Sequence, residues 1–393
     1  MTDAESILRK VLDKIVEQLQ IKHAKLSLKE LTSGGANYTS ALFSITIAAP
    51  EHDTLKLFAK VANVSGMFRK LMNVEIMFKT EQFVYSDLVK VYEKIQDEHS
   101  LSEEQRFDFP KFFGGESAEC EETVVMEDLR AKGFDTYSRF KSIDWEHTAC
   151  AIEYLARFHA LSFAYQKADP ENFAKDAELI ETKKRDESEN AKVKETWMKM
   201  VENAVNVAKE EHKERLAKLL EDDECRHQFH KFKVPLSTTV LCHGDYRVSN
   251  LLFRRLDGRL ETIVVDYQTV HPGCPASDLL YFEFLGTDQE FRKQYHQRLL
   301  DHYFSSLTVA LDRFGIDVND VYPKETLEKE YKQMMSSALC IAMVVLPLVL
   351  VEAEQAPHMS NIQEVKQFAV SPSQLFATRY SELVSDCVEW GVI

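Results

Sequence analysis

The chain is 393 residues long and 45% hydrophobic, with only 12 glycines and 10 prolines, enough for two domains or one large two-lobed unit around a substantial core. Its 64 acidic against 48 basic residues give a formal charge of −16, a surface that repels nucleic acid and anionic membranes, so neither is expected as a partner. The seven cysteines are scattered and form no CxxC pair, the usage of a reduced, cytoplasmic protein.

At the N-terminus, Ile7, Leu8, Val11, Leu12, Ile15, Val16 and Leu19 recur at helical spacing among charges, which predicts an amphipathic helix rather than a secretion signal. From Lys25 to Val61 the pattern is strand-like (Leu42, Phe43, Ile45, Ile47, then Leu55, Leu57, Phe58, Val61), and Gly34-Gly35 and Pro50 punctuate it as an antiparallel sheet would require. Met67 to Ile95 predicts helix, with Met72, Ile76, Phe83, Leu88, Val91 and Ile95 on one face. A short strand, Thr123 to Met126, precedes Glu127-Asp128-Leu129.

Residues 165–235 are rich in Lys and Glu, but Trp197, Met198, Met200, Val201, Val205, Leu216, Leu219 and Leu220 recur often enough to predict long helices with a buried stripe. Thr239-Val240-Leu241 and Thr262-Ile263-Val264-Val265 return to strand patterning. Ala338 to Val351 is apolar throughout, yet shorter than the ~20 residues that span a bilayer and interrupted by Pro347, so a core helix is expected. The layout predicts an α+β fold: a sheet-rich N-terminal lobe (1–128), a connector near 127–133 and a helical C-terminal lobe (129–393).

The most specific segment is His243-Gly244-Asp245-Tyr246-Arg247-Val248-Ser249-Asn250, followed 16 positions after Asn250 by Asp266 at the end of an apolar strand. Phosphoryl transfer needs a carboxylate to accept the proton of the attacking hydroxyl, and further oxygen ligands to hold Mg²⁺ against ATP. Asp245 suits the first task, Asn250 and Asp266 the second. His243 reads as a structural loop histidine, because the neighbouring carboxylate is the better base.

The N-terminal lobe offers an ATP clamp. Lys60, on the strand Leu57 to Val61, can meet the phosphates if a helix carboxylate holds it, and Glu81 is the natural partner. Gly34, Gly35 and Asn37 lie where backbone N–H groups could cover phosphates, although the same residues also make an ordinary hairpin turn. Glu127 and Leu129, at the junction, stand where adenine could bond to backbone groups. Cys225, His227 and His230 lack a second ligand pair at zinc spacing and predict no metal site.

Together HGDYRVSN, VVDYQ, PASDLLYF, Met126-Glu127-Asp128-Leu129 and Leu155-Ala156-Arg157-Phe158-His159-Ala160 resemble the ecdysteroid-kinase-like group, which is related to choline and aminoglycoside kinases. The resemblance implies a two-lobed, protein-kinase-like fold, ATP and Mg²⁺ as cofactors, Asp245 as base, Asn250 and Asp266 as metal ligands, and Lys60 paired with Glu81. It also implies that Asp278 either caps a helix or braces the catalytic loop.

Only 11 residues separate Asp266 from Asp278 and no APE follows, which leaves no room for a protein-kinase activation loop and favours a small-molecule acceptor. The expected reaction is ATP-dependent phosphorylation of a hydroxyl on a small, hydrophobic alcohol such as a steroid hormone or xenobiotic metabolite. A choline- or aminoglycoside-type kinase and a ligand-binding pseudokinase are the rival readings. Arg247 departs from the large aromatic residue usual two positions after the base in that group. It reads either as a grip on an anionic acceptor or the transferring phosphoryl group, or as an ion-paired loop arginine.

Overall fold

The computed structural model describes residues 3–32, 40–64, 69–70, 73–181, 191–352 and 373–393. Helix α1 (Asp3–Gln18) buries Leu8, Val11, Leu12 and Ile15 as the spacing predicts, while Leu19 falls beyond the helix end and is exposed. Strands β1 (Lys25–Leu31), β2 (Ser40–Ala49), β3 (His52–Ala62), β4 (Phe112–Glu116) and β5 (Thr123–Glu127) form one antiparallel sheet in the order β1-β2-β3-β5-β4. Pro50 stands in the tight β2–β3 turn, between the paired Ala49 and His52.

Alternation along the strands decides what each face meets. Phe43, Ile45 and Ile47 of β2, Leu57, Ala59 and Val61 of β3 and Val125 of β5 pack with α1. Val124 and Met126 face the opposite way, into the main core with Phe78. Lys60, between Ala59 and Val61, therefore points to this second face. There it meets α2 (Val74–Phe83), which continues through a π-helical turn (Val84–Leu88) into α3 (Val89–Glu98). These three pieces are the helix expected over 67–95; of its earlier part, residues 67, 68, 71 and 72 lie outside the described residues.

Beyond β5, Leu129–Lys132 forms a 3-10 turn whose Asp128 side chain accepts the N–H of Arg130 at 3.0 Å. Strand β6 (Asp135–Thr136) pairs with a later hairpin, and α4 (Trp145–Ala168) is buried along Phe158 to Tyr165. The charged segment is helical as expected: α5 (Pro170–Glu181), α6 (Ala191–Val207), α7 (Lys213–Leu219) and α8 (Asp222–Phe232). One expectation fails there. Met198 is 62% exposed, because at 100° per residue it leaves the face on which Trp197, Val201, Ala204 and Ala208 pack.

Strand β7 (Val240–Cys242) pairs with β10 (His271–Gly273), and β8 (Leu251–Leu256) with β9 (Arg259–Val264). Helices α9 (Pro275–Gly286), α10 (Gln289–Asp312), α11 (Val318–Val321), α12 (Lys324–Val349) and α13 (Gln374–Glu389) complete the fold. α12 is longer than the apolar run predicted and, by length and composition alone, could cross a membrane. Its apolar half is packed in the core, with Leu339, Cys340, Ala342 and Met343 inaccessible and the Tyr380 hydroxyl of α13 reaching the Leu339 carbonyl. All seven cysteines are unpaired.

Candidate active site

The loop between β7 and β8 carries Asp245 and Asn250, and local chemistry fixes its shape. Gly244 has φ +78°, and a Cβ there would lie 2.4 Å from the Thr269 carbonyl oxygen, so only glycine fits. Asp278, in the first turn of α9, accepts the backbone N–H groups of His243 at 2.7 Å and Gly244 at 2.9 Å. His159 Nε2 lies 3.2 Å from the same carboxylate, and His159 Nδ1 lies 2.8 Å from the Tyr303 hydroxyl. Burial would raise the Asp278 carboxyl, but His159, then His243 and the loop N–H hold it below the usual range. Asp278 thus braces the loop, while the N-cap position of α9 belongs to Cys274.

His243 is buried, and burial depresses its pKa despite Asp278, Asp245 and Asp266 nearby. A neutral ring satisfies both contacts: Nε2–H donates to the Val265 carbonyl at 3.1 Å, and Nδ1 accepts the Asp245 N–H at 3.3 Å. This is the structural role predicted from its neighbours.

Asn250 and Asp266 meet because they flank the open end of the β8–β9 hairpin. Leu251 pairs with Val264, and the Asn250 carbonyl accepts the Val265 N–H at 3.0 Å. Asp266 then adopts the left-handed conformation (φ 73°, ψ 56°), which turns its side chain away from the strand. The Asn250 amide donates to the Asp245 carbonyl at 3.0 Å and to Asp245 Oδ2 at 2.9 Å, which leaves its Oδ1 as the atom for a cation. A carboxylate and an amide oxygen are hard donors of the kind Mg²⁺ selects, so the residues fit that ion.

Lys60 joins the sheet to this loop. Its Nζ lies 2.8 Å from Glu81 Oε1 and 2.7 Å from Asp266 Oδ1. Burial opposes the Lys60 charge, but Asp266 and then Glu81 outweigh it and hold the amine protonated. The two carboxylates divide unequally. Burial pushes Glu81 up to about 7, against the pull of Lys60. Asp266 is kept below the usual range because Lys60, Arg247 and His243 overcome its burial. The π-helical turn after Glu81 seats Tyr85 edge-on against Tyr267, with centroids 5.4 Å apart, locking α2 against the segment after Asp266.

Arg247 donates from Nε to Asp245 Oδ1 at 2.9 Å and to Oδ2 at 3.1 Å, an ion pair whose partner is the expected base. Tyr281 was not among the residues singled out from the sequence. Its hydroxyl donates to Asp245 Oδ1 at 2.7 Å. The available signal was its spacing: three positions after Asp278, it shares that residue's face of α9.

The connector lies farther along the sheet. Glu127 pairs with Leu57, three residues before Lys60, and its carboxylate accepts the Lys111 N–H and pairs with Lys132. Leu129 is buried and opens the 3-10 turn. Neither touches the Lys60–Asp266 cluster. Gly34, Gly35 and Asn37 lie outside the described residues.

A sheet lysine held by a helix glutamate, beside a loop bearing Asp, Asn and a strand-terminal Asp, is the layout of the kinase-like class. The chain belongs to the ecdysteroid kinase-like family, which it matches over residues 34–316. It is 33% identical over 76 residues, 19% of each chain, to the uncharacterized kinase-like protein D1044.1 of Caenorhabditis elegans. That aligned segment spans about a fifth of the relative.

Among solved structures it resembles a microcompartment-associated aminopropanol kinase, with 10% identity, 96% of this chain and 98% of that one covered, and a TM-score of 0.42. It also resembles an aminoglycoside-3'-phosphotransferase of type VIII, with 18% identity, 83% and 98% covered, and a TM-score of 0.35.

Proposed function

We propose that this chain is an ATP-dependent kinase that phosphorylates a hydroxyl of a small hydrophobic alcohol, a steroid hormone or xenobiotic metabolite being the class in view. The observation that carries the reading is the contact chain Glu81–Lys60–Asp266, set beside Asp245 and Asn250 by one hairpin and one loop. Lys60 would orient the ATP phosphates. Asn250 and Asp266 would hold Mg²⁺, which when bound neutralises phosphate charge.

The acceptor oxygen attacks the γ-phosphorus, and its proton passes to Asp245. The bond from that phosphorus to the bridging oxygen breaks, and ADP leaves with the electron pair. Glu127 and Leu129 would meet adenine through the backbone, and Gly34, Gly35 and Asn37 would cover the phosphates. Residues 1–128 would act as the nucleotide lobe and 129–393 as the lobe carrying the acceptor.

An apolar acceptor is supported by the aromatic ring beside the base: Tyr281, whose hydroxyl meets Asp245, packs 6.4 Å from Phe232 at the end of α8. Cytoplasmic action is supported by seven unpaired thiols. The test is calorimetric titration with ATP, with and without Mg²⁺. Saturable binding that weakens when Mg²⁺ is omitted supports the reading, and no binding in either condition removes it.

A further inference from the structure

The Asp245 carboxylate is held more tightly than proton acceptance alone requires. Oδ1 accepts from the Tyr281 hydroxyl and Arg247 Nε, and Oδ2 from Asn250 Nδ2 and, at a longer distance, the same Nε. A carboxylate offers about four acceptor positions, so this set fills it. Arg247 spends only Nε on these contacts, so Nη1 and Nη2 remain as donors not used by this carboxylate.

The backbone at Arg247 is fixed from both sides. Its N–H donates to the Asp245 carbonyl at 2.9 Å, and its own carbonyl accepts the Asn250 N–H at 2.8 Å. The side chain is 15% exposed. Lys60 is already shared by two carboxylates. Arg247 is the cation paired with Asp245, the residue that the transferring group must approach.

We infer that Arg247 is a catalytic residue that binds the γ-phosphoryl group: anchored on Asp245 through Nε, it presents Nη1 and Nη2 to the phosphoryl oxygens. This rests on the ATP-dependent reading above. A cation beside an anionic base offsets its repulsion of the anionic phosphoryl group, and a planar guanidinium supplies that charge with two parallel donors. The longer Nε contact, to Oδ2, is the position an acceptor hydroxyl would take over to reach the base. The assignment selects the phosphoryl group over an anionic acceptor as the partner of Arg247.

The test compares equilibrium binding of Mg·ATP and Mg·ADP to the parent, Arg247→Gln and Arg247→Lys, with thermal melting as the folding control. Loss of a charge-assisted contact to the γ-phosphoryl group should weaken Mg·ATP binding about tenfold in Arg247→Gln, with Mg·ADP binding unchanged and Arg247→Lys in between. Equal changes for the two nucleotides, or none, in variants that melt like the parent would overturn the assignment and leave the kinase reading standing. A parent that binds neither nucleotide would remove the kinase reading and this inference with it. If Arg247→Gln fails to fold, the ratio of the two affinities in Arg247→Lys decides: a selective loss of Mg·ATP supports the assignment, and an unchanged ratio overturns it.

Discussion

Lys60 Nζ and Asp266 Oδ1, 206 residues apart in the chain, lie 2.7 Å from one another. The contact ties the N-terminal sheet to the end of the β8–β9 hairpin, and Glu81 shares the same amine. Because both carboxylates depend on one cation, their losses should not add. Glu81→Ala combined with Lys60→Ala is expected to lower kcat/KM little more than Lys60→Ala alone. Fully additive losses in a double-mutant cycle would show that the residues act independently.

The Glu81 carboxyl also predicts a pH dependence. Its pKa rises from 4.5 to about 7 on folding, so between those values the folded chain binds more protons than the unfolded one. Stability from this group is present at low pH and falls as pH rises through that window, by at most ~1.4 kcal/mol per pH unit. Glu81→Gln should remove the slope. The measurement is Tm against pH from 5 to 8 for parent and variant: the difference between the two curves should change steadily with pH, and a constant offset would contradict the shift.

Asp245→Asn should abolish transfer while Mg·ATP still binds, since it removes the proton acceptor and keeps the shape of the loop. Asp266→Ala should weaken Mg·ATP affinity as well as turnover, because it removes the charged ligand proposed for Mg²⁺. Titrating Mg²⁺ against both variants separates the roles, and an Asp266→Ala protein with the parent's Mg²⁺ dependence would refute the ligand assignment.

Tyr281→Phe deletes one hydrogen bond to the base and leaves the ring packed against Phe232. A stability loss of about 1 kcal/mol is expected, with kcat reduced and the KM for ATP unchanged. A rise in the KM for ATP with kcat intact would place Tyr281 elsewhere in the reaction.

Asp278→Ala strips the acceptor from the buried His243 N–H, the part-buried Gly244 N–H and His159, and should cost ~3 kcal/mol or more. Chemical denaturation measures this directly. A loss below 1 kcal/mol would mean that the loop holds its shape without the brace.

The sequence disclosed the elements whose signal is local: the period-2 alternation of β2, the amphipathic α1, the Asp245-to-Asn250 loop and the strand ending at Asp266. It also disclosed one distant pairing, Lys60 with Glu81, because the chemistry of phosphate binding demands a partner for a strand lysine. What it concealed depends on packing between helices. The contact of His159 with Asp278 spans 119 positions and joins α4 to α9 through side chains alone. Tyr281 was hidden in an apolar helix where an aromatic residue reads as core. Met198 was misplaced because a run of apolar residues in a charged helix does not show which one turns outward.

The central claim, phosphoryl transfer to a small alcohol with Asp245 as base, is tested most directly by incubating the protein with Mg·ATP and a metabolite extract and searching for compounds that gain the mass of one phosphate group. The account predicts such a gain on a hydroxyl-bearing, apolar compound with the parent protein and none with Asp245→Asn. A parent that binds Mg·ATP but phosphorylates nothing, or an Asp245→Asn variant that phosphorylates as well as the parent, would contradict it.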